Sequence, residues 1–201
     1  MTCEGQRSMG TIEVVNITDN LTVCIDKLKR VRQRLLSGKC LQPTAFLPIR
    51  HFIVSPEQCQ QLGLFILESI LADEEFCHLS TDERYVIQVL FSACKDCSSS
   101  QDAQLKMAIE KANEAVAALQ PGKKHIWIHA TRRKVNHHLP LAAEYCGYVF
   151  TRDWPGTWVY EASIAYVFGY QKYRYVTEQD TVNRLNRIID YLTYSNIRLD
   201  N

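Results

Sequence analysis

The sequence predicts one α/β domain, a mixed sheet flanked by helices, and three observations lead to this prediction. Residues 125–130 (HIWIHA) place two histidines and a tryptophan on one face and small or aliphatic residues on the other, the period of a strand. Residues 11–18 and 46–54 are also short and rich in strand-forming side chains. Between these stretches, apolar residues recur three and four positions apart, as in amphipathic helices.

Composition limits the class of protein. The 201 residues are 46% hydrophobic and 22% charged, which is typical of a globular domain. The formal net charge of +1 excludes nucleic-acid binding by overall charge and leaves only a local basic patch for that role. No apolar run approaches the roughly 20 residues that cross a bilayer, and residues 1–10 lack an apolar signal core. We expect a cytoplasmic protein with reduced cysteines, a disordered lead at 1–10 and a domain at 11–201.

The first elements follow from capping signals and periodicity. A helix is predicted from Thr18 or Asp19 to Gly38, with an apolar face and an opposite basic face. The strand at 46–54 is followed by Ser55–Gln58, where an N-cap serine, a proline and a capping-box glutamine begin a buried helix that extends to about Ala72. The basic face of the first helix carries Lys27, Lys29, Arg30, Arg32 and Arg34, and solvation is its simplest interpretation.

The remaining predicted elements are three helices and one mixed segment. Ser80–Glu83 is a second capping box that predicts a helix, although residues 85–93 (YVIQVLFSA) are strand-like in composition. An alanine-rich helix is predicted at Asp102–Leu119, and an amphipathic one at Thr177–Tyr194. Residues 123–160 are interpreted as strand, basic turn, short helix and two further strands.

Two segments carry a family resemblance. Residues 136–148 begin with Asn136, continue through a short helical stretch and end at Gly147-Tyr148, between the predicted strands IWIHAT and YVFTRDW. Residues 49–63 contain a strand ending at Val54, a Val-x-Pro turn and a helix. Together these segments resemble the GCN5-related N-acetyltransferase superfamily over roughly half the chain. The resemblance implies an α/β fold in which residues 73–120 are a helical insertion. In a competing register, residues 85–93 are the cofactor strand.

The resemblance also implies an activity, transfer of an acyl group from acetyl-coenzyme A or another acyl-coenzyme A to an amine. His51 or His129 would act as base, because imidazole titrates in the useful range, and Tyr160 and Glu161 would supply an acid or an amine anchor. The cofactor pyrophosphate would be held at a loop and helix N-terminus. The implied cofactor-binding residues are Val54, Gln58, Gln61 and Gly63.

Departures from the family pattern keep two other functions open. Gln61 replaces the first loop glycine, and Ala143 stands where the family often has its acidic tyrosine. One alternative is a nucleobase-modifying enzyme akin to Mom-type phage DNA-modification enzymes, with Arg132, Arg133 and Lys134 contacting nucleic acid. The other is an inactive binding or inhibitory protein that acts on a partner.

Metal and phosphoester chemistry were also considered. Cys94-x-x-Cys97 and His125-x-x-x-His129 supply four zinc-competent side chains. On a strand the two histidines would be about 13 Å apart, which is too far to share an ion. His78-Leu-Ser and His129-Ala-Thr are similar to the paired signature of two-histidine phosphoesterases, but both copies have the wrong context. We therefore expect no metal site.

Overall fold

The structure is a computed structural model that describes residues 17–38, 43–53, 55–99, 103–118, 138–168 and 178–199. Within these ranges the chain forms eight α-helices, two short 3-10 helices (Pro43–Phe46 and Glu74–His78) and no strand. None of the described helices is long and apolar enough to cross a bilayer. The α-helices are α1 (Ile17–Leu36), α2 (Leu47–Phe52), α3 (Pro56–Leu71), α4 (Thr81–Ser99), α5 (Ala103–Ala118), α6 (His138–Thr151), α7 (Pro155–Phe168) and α8 (Glu178–Leu199).

The prediction of an α/β fold is therefore wrong, and with it the assignment to the acetyltransferase superfamily. Residues 46–53, the supposed cofactor strand, form the end of a 3-10 helix and α2. Residues 148–160, the supposed last pair of strands, lie in α6, a turn and α7. The competing strand at 85–93 is inside α4. Residues 11–16 and 125–130 lie outside the described part of the chain.

Helix α6 is the centre of the molecule. Every residue from Leu139 to Phe150 is buried except two half-exposed tyrosines. It packs against α3, α4, α5 and α7, while α1 packs on α8 at the periphery. Apolar side chains from all eight helices contribute to one hydrophobic core. The segment 73–120 therefore supplies α4 and α5 to that same core.

The N-caps predicted at Ser55 and Ser80 are confirmed, because they depend only on local geometry. The cap predicted at Thr18 or Asp19 is wrong, since α1 already includes Ile17. Gln58 does not complete a capping box, because its Oε1 has no hydrogen-bond partner among the described residues. The Ser55 hydroxyl accepts a hydrogen bond from the Gln58 N–H at 3.1 Å, and α3 begins at Pro56 as expected. Ser80 and Glu83 form the reciprocal capping box: Ser80 Oγ accepts from Glu83 N–H at 3.2 Å, and Glu83 Oε2 accepts from Ser80 N–H at 2.9 Å. Gly38 has a φ of +71° just after α1, the left-handed conformation that glycine adopts at low cost.

Three stretches that were interpreted as strands are helical: residues 46–53 lie mostly in α2, residues 148–151 end α6, and residues 155–160 begin α7. The short helix expected before Gly147 is confirmed as the first part of α6. Helix α6 is buried on nearly all sides, so its apolar residues show no helical period. In α7, residues 159–167 are almost all buried and rich in β-branched and aromatic side chains. Short apolar runs of this kind have the same composition as buried strands, and periodicity alone does not separate the two.

Candidate functional site

An open groove lies between α1 and the segment formed by the first 3-10 helix and α2. Its volume is about 680 Å³, within the usual range of ligand pockets. Side chains from α1 form one wall, and those from residues 44–52 form the other. The lining residues are Lys27, Arg30, Val31, Arg34, Thr44, Ala45, Leu47, Pro48, His51 and Phe52.

The rim of the groove is basic. Lys27, Arg30 and Arg34 are all exposed and follow one another at intervals of three and four residues, so they form a row of about 10 Å along α1. His51 is exposed on the α2 side of the groove. Among the described residues, the lining contains no carboxylate, and none of these three cations has an ion-pair partner. The groove is therefore a positively charged site, open to an anion.

The floor of the groove is apolar. Val31 is buried, and Leu47, Pro48 and Phe52 are half-buried against the core. The ammonium of Lys27 lies 4.6 Å from the centroid of the Phe52 ring, a cation–π contact that covers one face of that ring. A suitable ligand would carry apolar groups for the floor and negative charge for the rim.

Helix α1 is held firmly enough to present this rim. Its inner face, including Leu21, Ile25 and Leu28, is buried in the core against α8. The Arg32 guanidinium donates a hydrogen bond to Asn186 on α8 at 3.2 Å. The basic face predicted from the sequence is thus divided: Arg32 braces α1 against α8, while three of the other cations line the groove.

The residues predicted to be catalytic lie on two elements that pack together. His51 lines the groove from α2, and Tyr160 and Glu161 lie on α7, which packs against α2. Burial raises the pKa of both Tyr160 and Glu161, and the nearby Arg50 guanidinium opposes each rise. His129 lies outside the described residues.

The residues predicted to bind the cofactor do not form a loop. Gln58, Gln61 and Gly63 all lie within α3, and Val54 is outside the described residues. A Cβ placed on Gly63 would lie 3.7 Å from Val149 and 3.8 Å from Phe150, so this glycine faces α6 and not a ligand. The structure therefore does not reproduce the local geometry that a pyrophosphate would need at these positions.

The residues predicted to bind nucleic acid or metal are either outside the described part of the chain or buried. Arg132, Arg133 and Lys134 lie outside the described residues, as does His125. Cys94 and Cys97 lie in α4 and are buried; burial raises the pKa of the Cys94 thiol well above its usual range, which disfavours the thiolate. In the portion of the chain that the structure describes, no group of three or more candidate ligands has metal-binding geometry.

A buried charged network is the other notable polar feature. Arg184 of α8 is 3% exposed and binds Asp73 through two hydrogen bonds of 2.8 and 2.9 Å. Nε2 of His138, at the start of α6, lies 2.9 Å from an Arg184 nitrogen and 3.1 Å from Glu75 Oε2. This nitrogen can accept from Arg184 or donate to Glu75, but not both at once. The network joins the α3–α4 connection to α6 and α8, and we assign it to stability.

The network also shifts the pKa of two of its members, Glu75 and Arg184. The pKa of Glu75 is lowered to about 2, first by its hydrogen bond to His138 and then by the charges of His138 and Arg184, against the opposing effect of burial. Burial alone would lower the pKa of Arg184, but its bonds to Asp73 and the charge of Glu75 raise it. Both charges are therefore retained in the folded protein at neutral pH.

Sequence reasoning found the basic face and His51 but missed the floor that joins them. Pro43 and Pro48 were a usable signal, because two prolines within six residues are incompatible with an inner strand. Comparison of the chain with protein-family models, with curated proteins and with solved structures gave no match, so the function must be argued from the groove itself.

Proposed function

We propose that this protein is a helical binding protein that holds an acidic, amphipathic peptide segment of a partner protein in the α1–α2 groove. The observation that carries the proposal is the row of Lys27, Arg30 and Arg34 above an apolar floor, in a lining where the described residues include no carboxylate. A helix or extended segment with apolar anchors and flanking carboxylates matches both properties. This function is the binding-protein alternative that the sequence left open, and we include a cytoplasmic location in the proposal.

A peptide is favoured over a nucleic acid by the floor. Single-stranded nucleic acids gain much of their affinity from bases that stack on open aromatic faces. Phe52 is the aromatic residue in the groove lining, and Lys27 lies over one face of its ring. Aliphatic side chains and proline form the rest of the floor, and they pack well with apolar side chains of a peptide.

Acyl transfer from coenzyme A thioesters was expected from a resemblance that the fold overturns. It keeps a place as a control in the test. If millimolar coenzyme A or acetyl-coenzyme A raises the melting temperature by several degrees, the donor binds the folded state. Such a shift would favour the enzymatic alternative over peptide binding.

The test is a peptide-display selection on the immobilised full chain, with a random peptide library as the probe. Arg30→Glu/Arg34→Glu serves as the counter-selection protein, because it reverses the rim and leaves the floor intact. Lys106→Glu/Lys111→Glu on α5 is the matched control, since it makes the same change in net charge at exposed positions outside the groove.

The expected result is a set of peptides rich in Asp and Glu with interspersed Leu, Ile or Phe. They should bind the wild type and the α5 control equally and the rim variant at least tenfold more weakly, with affinity that falls as salt rises. Selection of neutral or basic peptides, or equal binding to the rim variant, contradicts the proposal. Tight binding of a single-stranded oligonucleotide that the rim variant loses would favour nucleic acid instead.

A further inference from the structure

The α6–α7 turn exposes a tryptophan. Trp154 is 80% exposed, the most exposed of the large hydrophobic residues in the described chain. Its φ is +64°, the left-handed region, and it is the one non-glycine residue there among those described. A bulky side chain rarely adopts this conformation, whereas glycine or asparagine adopts it readily. Neither core packing nor turn preference explains a tryptophan here.

The turn is held in this conformation by contacts on both sides. Thr157 N–H donates to the Trp154 carbonyl at 2.8 Å, and the indole of Trp158 donates to the Asp153 carbonyl at 3.0 Å. The Arg152 guanidinium lies over the Tyr148 ring at 5.3 Å. Backbone strain persists where surrounding structure over-determines it, and such positions are concentrated at binding and switch sites. Trp154 is therefore presented to solvent by a rigid turn.

The turn adjoins the basic groove across α2. Two residues after Trp154, the Cβ position of Gly156 lies 3.5 Å from the Ile53 carbonyl oxygen and 3.8 Å from the Arg50 carbonyl oxygen. Two residues of chain span at most about 7 Å, so the backbone of Trp154 lies within roughly 11 Å of the end of α2. His51 and Phe52 of the same helix line the groove.

We infer that Trp154 is the apolar anchor of the same docking surface, so that the acidic partner segment crosses α2 and packs an apolar side chain on the indole. This inference rests on the proposed function. Exposed tryptophans beside arginines are the residues that most often dominate the energy of protein interfaces. Arg152 and Arg50 are both exposed near the turn, beside the carboxylates of Asp153 and Glu161.

A membrane surface is the competing occupant, because tryptophan and basic residues also favour lipid interfaces. One feature favours a protein partner. The remaining apolar neighbour, Trp158, is half-buried and engaged with the turn, so the patch offers one anchor and not a face to insert.

The decisive variant is Trp154→Gly, because glycine fits the positive φ that tryptophan strains. Urea unfolding should give a midpoint equal to or above that of the wild type, so a folding defect cannot explain a loss of binding. Fluorescence anisotropy with the acidic peptide from the selection, labelled with fluorescein, should show roughly 30-fold weaker binding. The matched control is Tyr85→Ser, which replaces an exposed aromatic residue on α4 and should bind like the wild type. Val89→Gly is not suitable as a control, because glycine destabilises the interior of a helix.

The outcomes separate the two proposals. If Trp154→Gly binds the peptide as the wild type does while Arg30→Glu/Arg34→Glu does not, the anchor is refuted and the groove stands. If the rim variant binds normally, the groove itself is refuted. If Trp154→Gly binds the peptide as the wild type does but no longer sediments with phosphatidylserine vesicles, the turn is a membrane contact and the inference is overturned.

Discussion

Replacing Gly147 by alanine should destabilise the protein, although alanine is the better helix former. Gly147 lies in the interior of α6, where glycine-to-alanine changes ordinarily gain about 0.5–1 kcal/mol. A Cβ at Gly147, however, would lie 2.2 Å from Oδ1, 2.4 Å from Nδ2 and 2.5 Å from Cγ of Asn113 on α5. Relieving such overlap in a packed core costs about 1–3 kcal/mol. We expect a net loss of about 1–2 kcal/mol in the free energy of unfolding.

Replacing Asn113 as well completes a double-mutant cycle with Gly147. It is 3% exposed, and both polar atoms of its side chain lack a hydrogen-bond partner among the described residues. Asn113→Ala removes the three clashing atoms together with two buried polar groups that are costly when unpaired. In that background Gly147→Ala should become stabilising by about 0.5–1 kcal/mol. The effect of Gly147→Ala on the free energy of unfolding thus changes sign when Asn113 is replaced, with a coupling energy of about 1–3 kcal/mol.

Urea denaturation followed by far-ultraviolet circular dichroism measures all four proteins of the cycle. Gly63→Ala in α3 is the matched control, because its Cβ would be 3.7–3.8 Å from Val149 and Phe150, which is ordinary contact. That variant should gain about 0.5–1 kcal/mol on its own. If Gly147→Ala changes stability equally with and without Asn113, within about 0.5 kcal/mol, the close α5–α6 contact is not the reason for the glycine.

Three further outcomes concern Asp73, Glu75 and Cys77. Asp73→Ala should lower the free energy of unfolding by about 3–5 kcal/mol in urea titrations, because it leaves the buried Arg184 without its bidentate partner; the exposed Asp82→Ala, if equally harmful, would contradict this. The lowered pKa of Glu75, about 2 against a usual 4.5, contributes stability that is present above pH 4.5 and is lost as the pH falls toward 2. Glu75→Gln should therefore flatten the pH dependence of the urea midpoint over that range, and an unchanged slope would refute the coupling. Cys77 is exposed and should react rapidly with a thiol reagent, so Cys77→Ser should remove one fast-reacting thiol, and an unaltered fast phase would show that Cys77 is protected.

Features that depend on a few neighbouring residues were predictable from the sequence. The capping signals at Ser55 and Ser80, the end of α1 at Gly38 and the basic face of α1 could all be inferred, because hydrogen bonds and helical periodicity act within one or two turns. Amphipathic helices such as α1 and α8 were predicted for the same reason, since one face of each contacts solvent and leaves a period in the sequence.

The fold class, the role of Gly147 and the groove depend on tertiary contacts. Helix α7 and the end of α6 are surrounded by other helices, so these residues carry no helical period that would mark them as helical. In the sequence Gly147 stands between a short helical stretch and a predicted strand, but the structure shows that Asn113 of α5, 34 residues earlier in the chain, approaches this glycine too closely for a Cβ. The groove likewise joins Lys27 and Arg30 to His51 only because α2 packs on α1, and contacts between separate elements depend on how whole surfaces fit together, which no local pattern encodes.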